Sequence, residues 1–157
     1  MKKTFVITLL LAFGQFASAE SEPVANLAGE GIEKVFDDND GGIKFFHGSW
    51  LEALTKADKE DKMIFLDAYA SWCGPCKIMA KNTFTEAKAG DFFNKNFINY
   101  KMDMEKDPNG PRLSRKFNLE AYPSLYFLDK NEKVVHFAIG MHSLKDLLRL
   151  GQAALIK

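Results

Sequence analysis

The chain has 157 residues, a length that suits one domain with a real core. It is 46% hydrophobic and 13% aromatic, with fourteen Phe, which excludes an intrinsically disordered chain. Its 21 basic and 21 acidic side chains cancel, so nothing in the charge favours nucleic acid or an anionic membrane surface as a partner.

Taken in chain order, residues 1–19 read as a secretory signal peptide. Lys2 and Lys3 form a positive start, Phe5 to Phe13 an apolar stretch, and Ala17-Ser18-Ala19 a small-residue cleavage site. The apolar stretch is too short to span a bilayer as a stable helix. No Cys follows it, so a lipid anchor is not indicated. Cleavage near Ala19 predicts an exported, periplasmic or otherwise extracytoplasmic protein starting at Glu20. Without its basic start the remainder is slightly acidic. Residues 20–42 are small and polar and end in Asp37-Asp38-Asn39-Asp40-Gly41-Gly42, which predicts a mobile leader closing on a turn.

The remaining residues, 43–157, carry the pattern of one domain. Ile43 to Phe46 predicts a short first strand. Ser49-Trp50-Leu51-Glu52 has capping-box spacing, and apolar residues at Trp50, Leu51, Leu54 and Ala57 predict a helix ending near Asp61. Met63 to Tyr69 is apolar except for Asp67, as in a buried central strand. Gly74-Pro75 opens a helix, because Pro suits a first turn. Met79, Ala80 and Phe84 are assigned to one face of it. A second helical piece is predicted over Ala87 to Asn94, a strand over Phe97 to Met102, and a turn at Asp107-Pro108-Asn109-Gly110. A short helix from Pro111 to Phe117 follows. Ser124 to Leu128 and Val134 to Ile139 read as a hairpin around Asp129–Glu132. Leu144, Leu147, Leu148 and Leu150 predict a last amphipathic helix to about Ile156. Alternating strands and helices followed by a hairpin predict an α/β fold, a central mixed sheet with helices on both faces.

The chain has two cysteines, Cys73 and Cys76. A structural disulfide stabilises most when it closes a long loop, and this pair closes almost none. The arrangement suits a bond that opens and closes. Cys73 stands just before a predicted helix, whose unpaired amides and partial positive charge favour a thiolate. It is predicted to be exposed, with Cys76 one turn inside and more buried. Cys73 would then attack a substrate disulfide, and Cys76 would resolve the mixed disulfide. The alternative is a metal pair. Zinc needs four ligands, and His47, His136 and His142 lack the spacing to complete them. No metal is predicted.

The segment Asp67-Ala68-Tyr69-Ala70-Ser71-Trp72-Cys73-Gly74-Pro75-Cys76-Lys77 resembles a thioredoxin active site. The resemblance continues through Lys101 and Ala121-Tyr122-Pro123-Ser124 to Gly140 and covers Met63 to the C-terminus. Phe84-Thr85-Glu86 after the active-site helix is similar to exported bacterial thioredoxin-like proteins and to the periplasmic thioredoxin-like domain of transmembrane disulfide reductases. The resemblance implies a thioredoxin fold and thiol–disulfide oxidoreductase activity. It implies that no cofactor is needed beyond the redox-active disulfide Cys73–Cys76. It makes Asp67 the acid/base for Cys76, a role consistent with a lone carboxylate in an apolar strand, where burial raises a pKa; the alternative is a strand-end residue reaching solvent. Lys101 falls where thioredoxins carry the partner of this Asp, with a plain surface Lys as the alternative. It implies a cis peptide before Pro123, leaving the Tyr122 backbone open to an extended substrate. Trp72 becomes an exposed rim rather than core, while Trp50 is read as core. Met79, Met102 and Met104 read as buried filler, and Lys81, Lys88 and Lys95 as a solvated face.

Gly74-Pro75 between the cysteines resembles reducing thioredoxins, so the predicted function is reduction of protein disulfides. Two alternatives stand beside it. Tyr69, where many thioredoxins have Trp, and Tyr122, which also occurs before the cis-Pro of disulfide isomerases, leave isomerase or oxidase action open. A binding adaptor would not need both thiols. By resemblance the partners are protein disulfides and a membrane protein that relays electrons, and the predicted state is a monomer.

Overall fold

The computed structural model describes residues 41–156. The predicted signal peptide and all but the last two residues of the predicted leader lie outside them. Among the described residues five α-helices and four strands follow one another: α1 (Trp50–Glu60), β1 (Met63–Tyr69), α2 (Gly74–Ile78), α3 (Ala87–Asn96), β2 (Phe97–Asp103), α4 (Gly110–Phe117), β3 (Ser124–Leu128), β4 (Val134–Ile139) and α5 (Leu144–Leu155). A π-helical turn, Met79–Thr83, continues α2. The strand order is β2-β1-β3-β4, with β1 and β2 parallel and the other pairs antiparallel. This is the mixed sheet that alternation and a closing hairpin predict.

Side-chain alternation along the strands splits the core in two. Ile64, Leu66 and Ala68 of β1 meet Trp50, Ala53 and Ala57 of α1 and Leu113 of α4 on one face. Phe65 of the same strand meets Phe84, Phe93, Leu147 and Ala154 on the other. Ser49 caps α1 with the reciprocal Glu52 bonds of a capping box. Trp50 is 3% exposed, as read from the sequence, and Met79, Met102 and Met104 are buried.

One local expectation needs correction. Ile43 to Phe46 is not a strand but a strap with a single bridge at Phe46. The Ile43 amide donates to the Phe84 carbonyl at 2.7 Å, and the Phe46 amide to Asn99 at 2.7 Å. Between them, Asn side chains replace a strand partner. The Lys44 amide donates to Asn94 Oδ1 at 2.8 Å, and Asn99 Nδ2 donates to the Lys44 carbonyl at 3.2 Å. The strap starts at Gly42, packed so closely on α3 that a Cβ on Gly90 would lie 2.4 Å from the Gly42 carbonyl oxygen.

Met79, Ala80 and Phe84 share one face as expected, but through a wide turn rather than a regular helix. Met79 and Phe84 both face the core. Five residues of an α-helix would put them about 140° apart. The wide turn removes the conflict: the Phe84 amide donates to the Met79 carbonyl at 2.9 Å, five residues back, which brings Phe84 onto the inner face.

Candidate functional site

Cys73 and Cys76 form a disulfide with Cα atoms 5.4 Å apart. Cys73 is the N-cap of α2, and its Sγ accepts from the Cys76 amide at 3.2 Å. The sequence places it there because Gly74 and Pro75 suit a first helical turn, where Pro lacks only a donor that no carbonyl needs. The expected exposure of Cys73 is corrected: in this oxidised state it is 2% exposed, as buried as Cys76. The bond folds its sulfur inward onto Ala70 and Cys76, and Tyr69 and Tyr122 pack against that group. Gly74 and Pro75 remain exposed.

Trp72 is 66% exposed and forms the rim. Its indole N–H donates to Glu105 Oε2 at 2.8 Å, and its ring meets the Tyr122 ring edge-on, with centroids 5.8 Å apart. Glu105 has no signature in the sequence; only the chain reversal after β2 brings it there. The Tyr122–Pro123 peptide is cis. The Pro123 carbonyl accepts from the Gly140 amide at 2.8 Å, which fixes the loop beside the end of β4. Ile78 and Met141 add exposed apolar surface on α2 and the β4–α5 loop.

Asp67 is 1% exposed and sits on the face of β1 that carries Phe65, the face covered by α2's continuation. Its strand partners are Lys101 on β2 and Leu125 on β3. Oδ1 has no hydrogen-bond partner, and Oδ2 has the Lys101 ammonium at 3.7 Å, an ion pair longer than a hydrogen bond. Burial therefore dominates, and the carboxyl is pushed up from 3.8 to about 6 although Lys101 pulls the other way. Burial also raises the Tyr69 phenol, with the negative charges of Asp103 and Asp67 adding to it.

The structure thus brings Cys73, Cys76, Trp72, Tyr122 and Pro123 to one end of the sheet, with Asp67 and Lys101 on the strands beneath. Three rings that sequence reasoning did not connect with Lys101 surround its ammonium: Tyr69, Phe45 and Phe84, with centroids at 5.1, 5.3 and 5.9 Å. Tyr69 had a signal, standing where many thioredoxins have Trp. Among the described residues no group of three or more His, Cys, Asp or Glu is placed to hold a metal ion. None of the described helices is long and apolar enough to cross a membrane.

A mixed sheet with a dithiol at the start of a helix and a cis-Pro loop beside it defines a thiol–disulfide oxidoreductase of the thioredoxin superfamily, whose electrons are carried by its own cysteine pair. Relatives agree. Thioredoxin C-3 of Corynebacterium nephridii is 33% identical over 85 residues, 54% of this chain and 54% of that protein. Thioredoxin-1 of Drosophila melanogaster is 32% identical over 79 residues, 50% of this chain and 68% of that one. The solution structure of a Bacteroides thetaiotaomicron protein, described as a candidate disulphide isomerase, is 38% identical, with a TM-score of 0.66 over 74% of this chain and 96% of that one. Residues 44–138 match the profile of Thioredox_DsbH, described as "Protein of unknown function, DUF255", and the chain belongs to that family. It spans about half the length of the first of these thioredoxins.

Proposed function

We propose that this protein is an exported reductase of protein disulfides. The observation that carries the reading is the Cys73–Cys76 disulfide at the start of α2, with a buried, incompletely paired carboxylate on the strand leading to it. In the reduced form the Cys73 thiolate attacks one sulfur of a substrate disulfide. A mixed disulfide forms, and the other substrate sulfur leaves as thiolate. Asp67 takes the proton of Cys76, and the Cys76 thiolate attacks Cys73. The second substrate sulfur leaves, two electrons have passed to the substrate, and the oxidised pair described here remains. Asp67 accepts a proton only when ionised, so resolution slows below about pH 6.

The substrate approaches over Trp72 and Tyr122. The Tyr122 amide and carbonyl have no hydrogen bond among the described residues, which supports strand-like pairing with an extended segment. Export rests on the N-terminal pattern of Lys2, Lys3 and Ala17-Ser18-Ala19. In that compartment cytoplasmic reductants are out of reach. Each turnover leaves the Cys73–Cys76 disulfide, which a membrane protein that relays electrons reduces again to the dithiol, and the protein works as a monomer. Equilibration with glutathione tests the direction: the potential should fall near thioredoxin's, about −270 mV, and a value near about −120 mV would mark an oxidant. A Cys76→Ser variant should accumulate mixed disulfides with substrate and donor alike, identifying both.

A second reading, disulfide isomerisation, is favoured by Tyr122 and by the description of the Bacteroides thetaiotaomicron relative. Refolding of a scrambled multi-disulfide protein separates the two. Efficient reshuffling with weak reduction of insulin would favour isomerisation.

A further inference from the structure

Among the described residues Lys101 is the one cation set beside Asp67, and its own anchoring is unusual. The ammonium lies 3.7 Å from Asp67 Oδ2, beyond hydrogen-bond reach, and its side chain is 30% exposed. What surrounds it is a wall of rings from three different parts of the chain: Tyr69 at the end of β1, Phe84 after the wide turn and Phe45 from the strap. Cations are attracted to ring faces at such distances. Phe45 is buried, and its ring meets that of Phe84 edge-on at 5.5 Å. The strap that carries it is held by the Lys44 bonds to Asn94 and Asn99.

We propose that Phe45 is a positioning residue for the thiol chemistry: its ring, with those of Phe84 and Tyr69, holds the Lys101 ammonium against Asp67, so the strap before α1 takes part in setting when Asp67 gives up its proton. The inference rests on the reading of Asp67 as the proton acceptor for Cys76. The titratable groups around Asp67 are Lys101 from β2, Tyr69 from its own strand, and Asp103, which acts on Tyr69. β3 presents Leu125, α2 the cysteine pair, and the wide turn and strap present Met79, Phe84 and Phe45. Lys44 and Lys81 on those segments are exposed.

The ring has two possible effects on Asp67, and they have opposite signs. If it holds Lys101, its removal lets the ammonium swing into solvent, and Asp67 titrates at higher pH. If it only keeps water out, its removal relieves burial, and Asp67 titrates at lower pH. The measurement is a carbon-13 carboxyl titration of Asp67 by NMR in the oxidised full chain. Phe45→Leu should raise the midpoint by about half a pH unit, a factor of about three in the proton equilibrium. Phe45→Trp, which keeps a ring face, should stay near the parent. Phe45→Leu should add nothing in a Lys101→Gln background. A fall, no change, or an equal rise in the Lys101→Gln background would overturn the proposal. Should Phe45→Leu not fold, Tyr69→Leu removes another wall of the same cage and must raise the midpoint likewise. Release from the Cys73 mixed disulfide should slow by about twofold at pH 6 and about threefold at pH 5, and hardly at all at pH 7, with the first attack unchanged, as the midpoint shift requires. If the titration moves and release does not, the positioning stands and the role of Asp67 at Cys76 fails.

Discussion

Two carboxylates in this molecule are largely withdrawn from water and have opposite fates. The Asp67 side chain has one oxygen without a partner and a single cation at 3.7 Å, and it is pushed up to about 6. Glu132, in the β3–β4 turn, receives the Trp50 indole N–H at 2.5 Å, two Arg112 nitrogens at 2.8 and 2.7 Å, and Lys116 Nζ at 2.7 Å. The Arg112 bonds come first in holding it down to about 2. Burial raises both groups; the number of charged donors decides which effect wins. Glu132 ties α1, α4 and the hairpin together at the expense of a left-handed backbone, φ 59°. Asp67 ties nothing, and is left poised to exchange a proton near neutral pH.

The comparison breaks most visibly at Asp67. Asp67→Asn should slow release from the Cys73 mixed disulfide by about 100-fold while the first attack is retained, since a positioned base contributes on that order; stopped-flow kinetics with acid-trapped intermediates separates the steps. The same change should stabilise the oxidised protein at pH 7 by up to about 3 kcal/mol, the equivalent of moving a pKa from 3.8 to about 6. Glu132→Gln should do the reverse, lowering stability by about 2 kcal/mol in urea unfolding through lost charged hydrogen bonds, with exchange rates unchanged.

The pH windows sharpen the contrast. A raised carboxyl destabilises the folded protein as pH climbs, so the Asp67→Asn advantage should be complete above about pH 6 and vanish below 3.8. A depressed carboxyl stabilises above its ordinary value of 4.5, so the Glu132→Gln deficit should hold at pH 5 and fade only as pH falls toward about 2. Loss of both effects in one window would show that the two groups are not set as described. Trp50→Phe should be the mildest change. It keeps a ring in the core and removes one of the donors to Glu132, lowering the urea midpoint by the equivalent of about 1 kcal/mol.

Much of this was readable in the residues because the signals are local. The bounds of β1, β3 and β4 follow from short apolar runs closed by turn residues, and the cysteine pair declares itself. Trp50 and Trp72 are told apart, one as core by helical periodicity and one as rim by the resemblance to thioredoxins, and the structure has them so. Glu132 was read only as part of a turn, because its donors stand 82, 20 and 16 positions away in the chain. The strap looked like a strand because Ile43, Phe45 and Phe46 are apolar; nothing in those residues reveals that Asn94 and Asn99 take the bonds of Lys44. The burial of Cys73 was not legible because its place before a helix does not reveal that Ala70, Tyr69 and Tyr122 pack around the disulfide.

The wide turn at Met79–Thr83 has a consequence for chain length. It holds one residue more than an α-helix would use to carry the chain from Met79 to Phe84 with both facing inward. That residue is spare. Deleting the exposed Asn82 should leave an ordinary helix with Cys76, Met79 and Phe84 where they are, and a folded protein with its dithiol intact. A deletion in β1 has no such outlet: one residue fewer sends every later side chain of the strand to the opposite face and takes Asp67 with it. The chain can therefore vary in length immediately beside its reactive pair, on the helix side, and is held to strict count on the strand side.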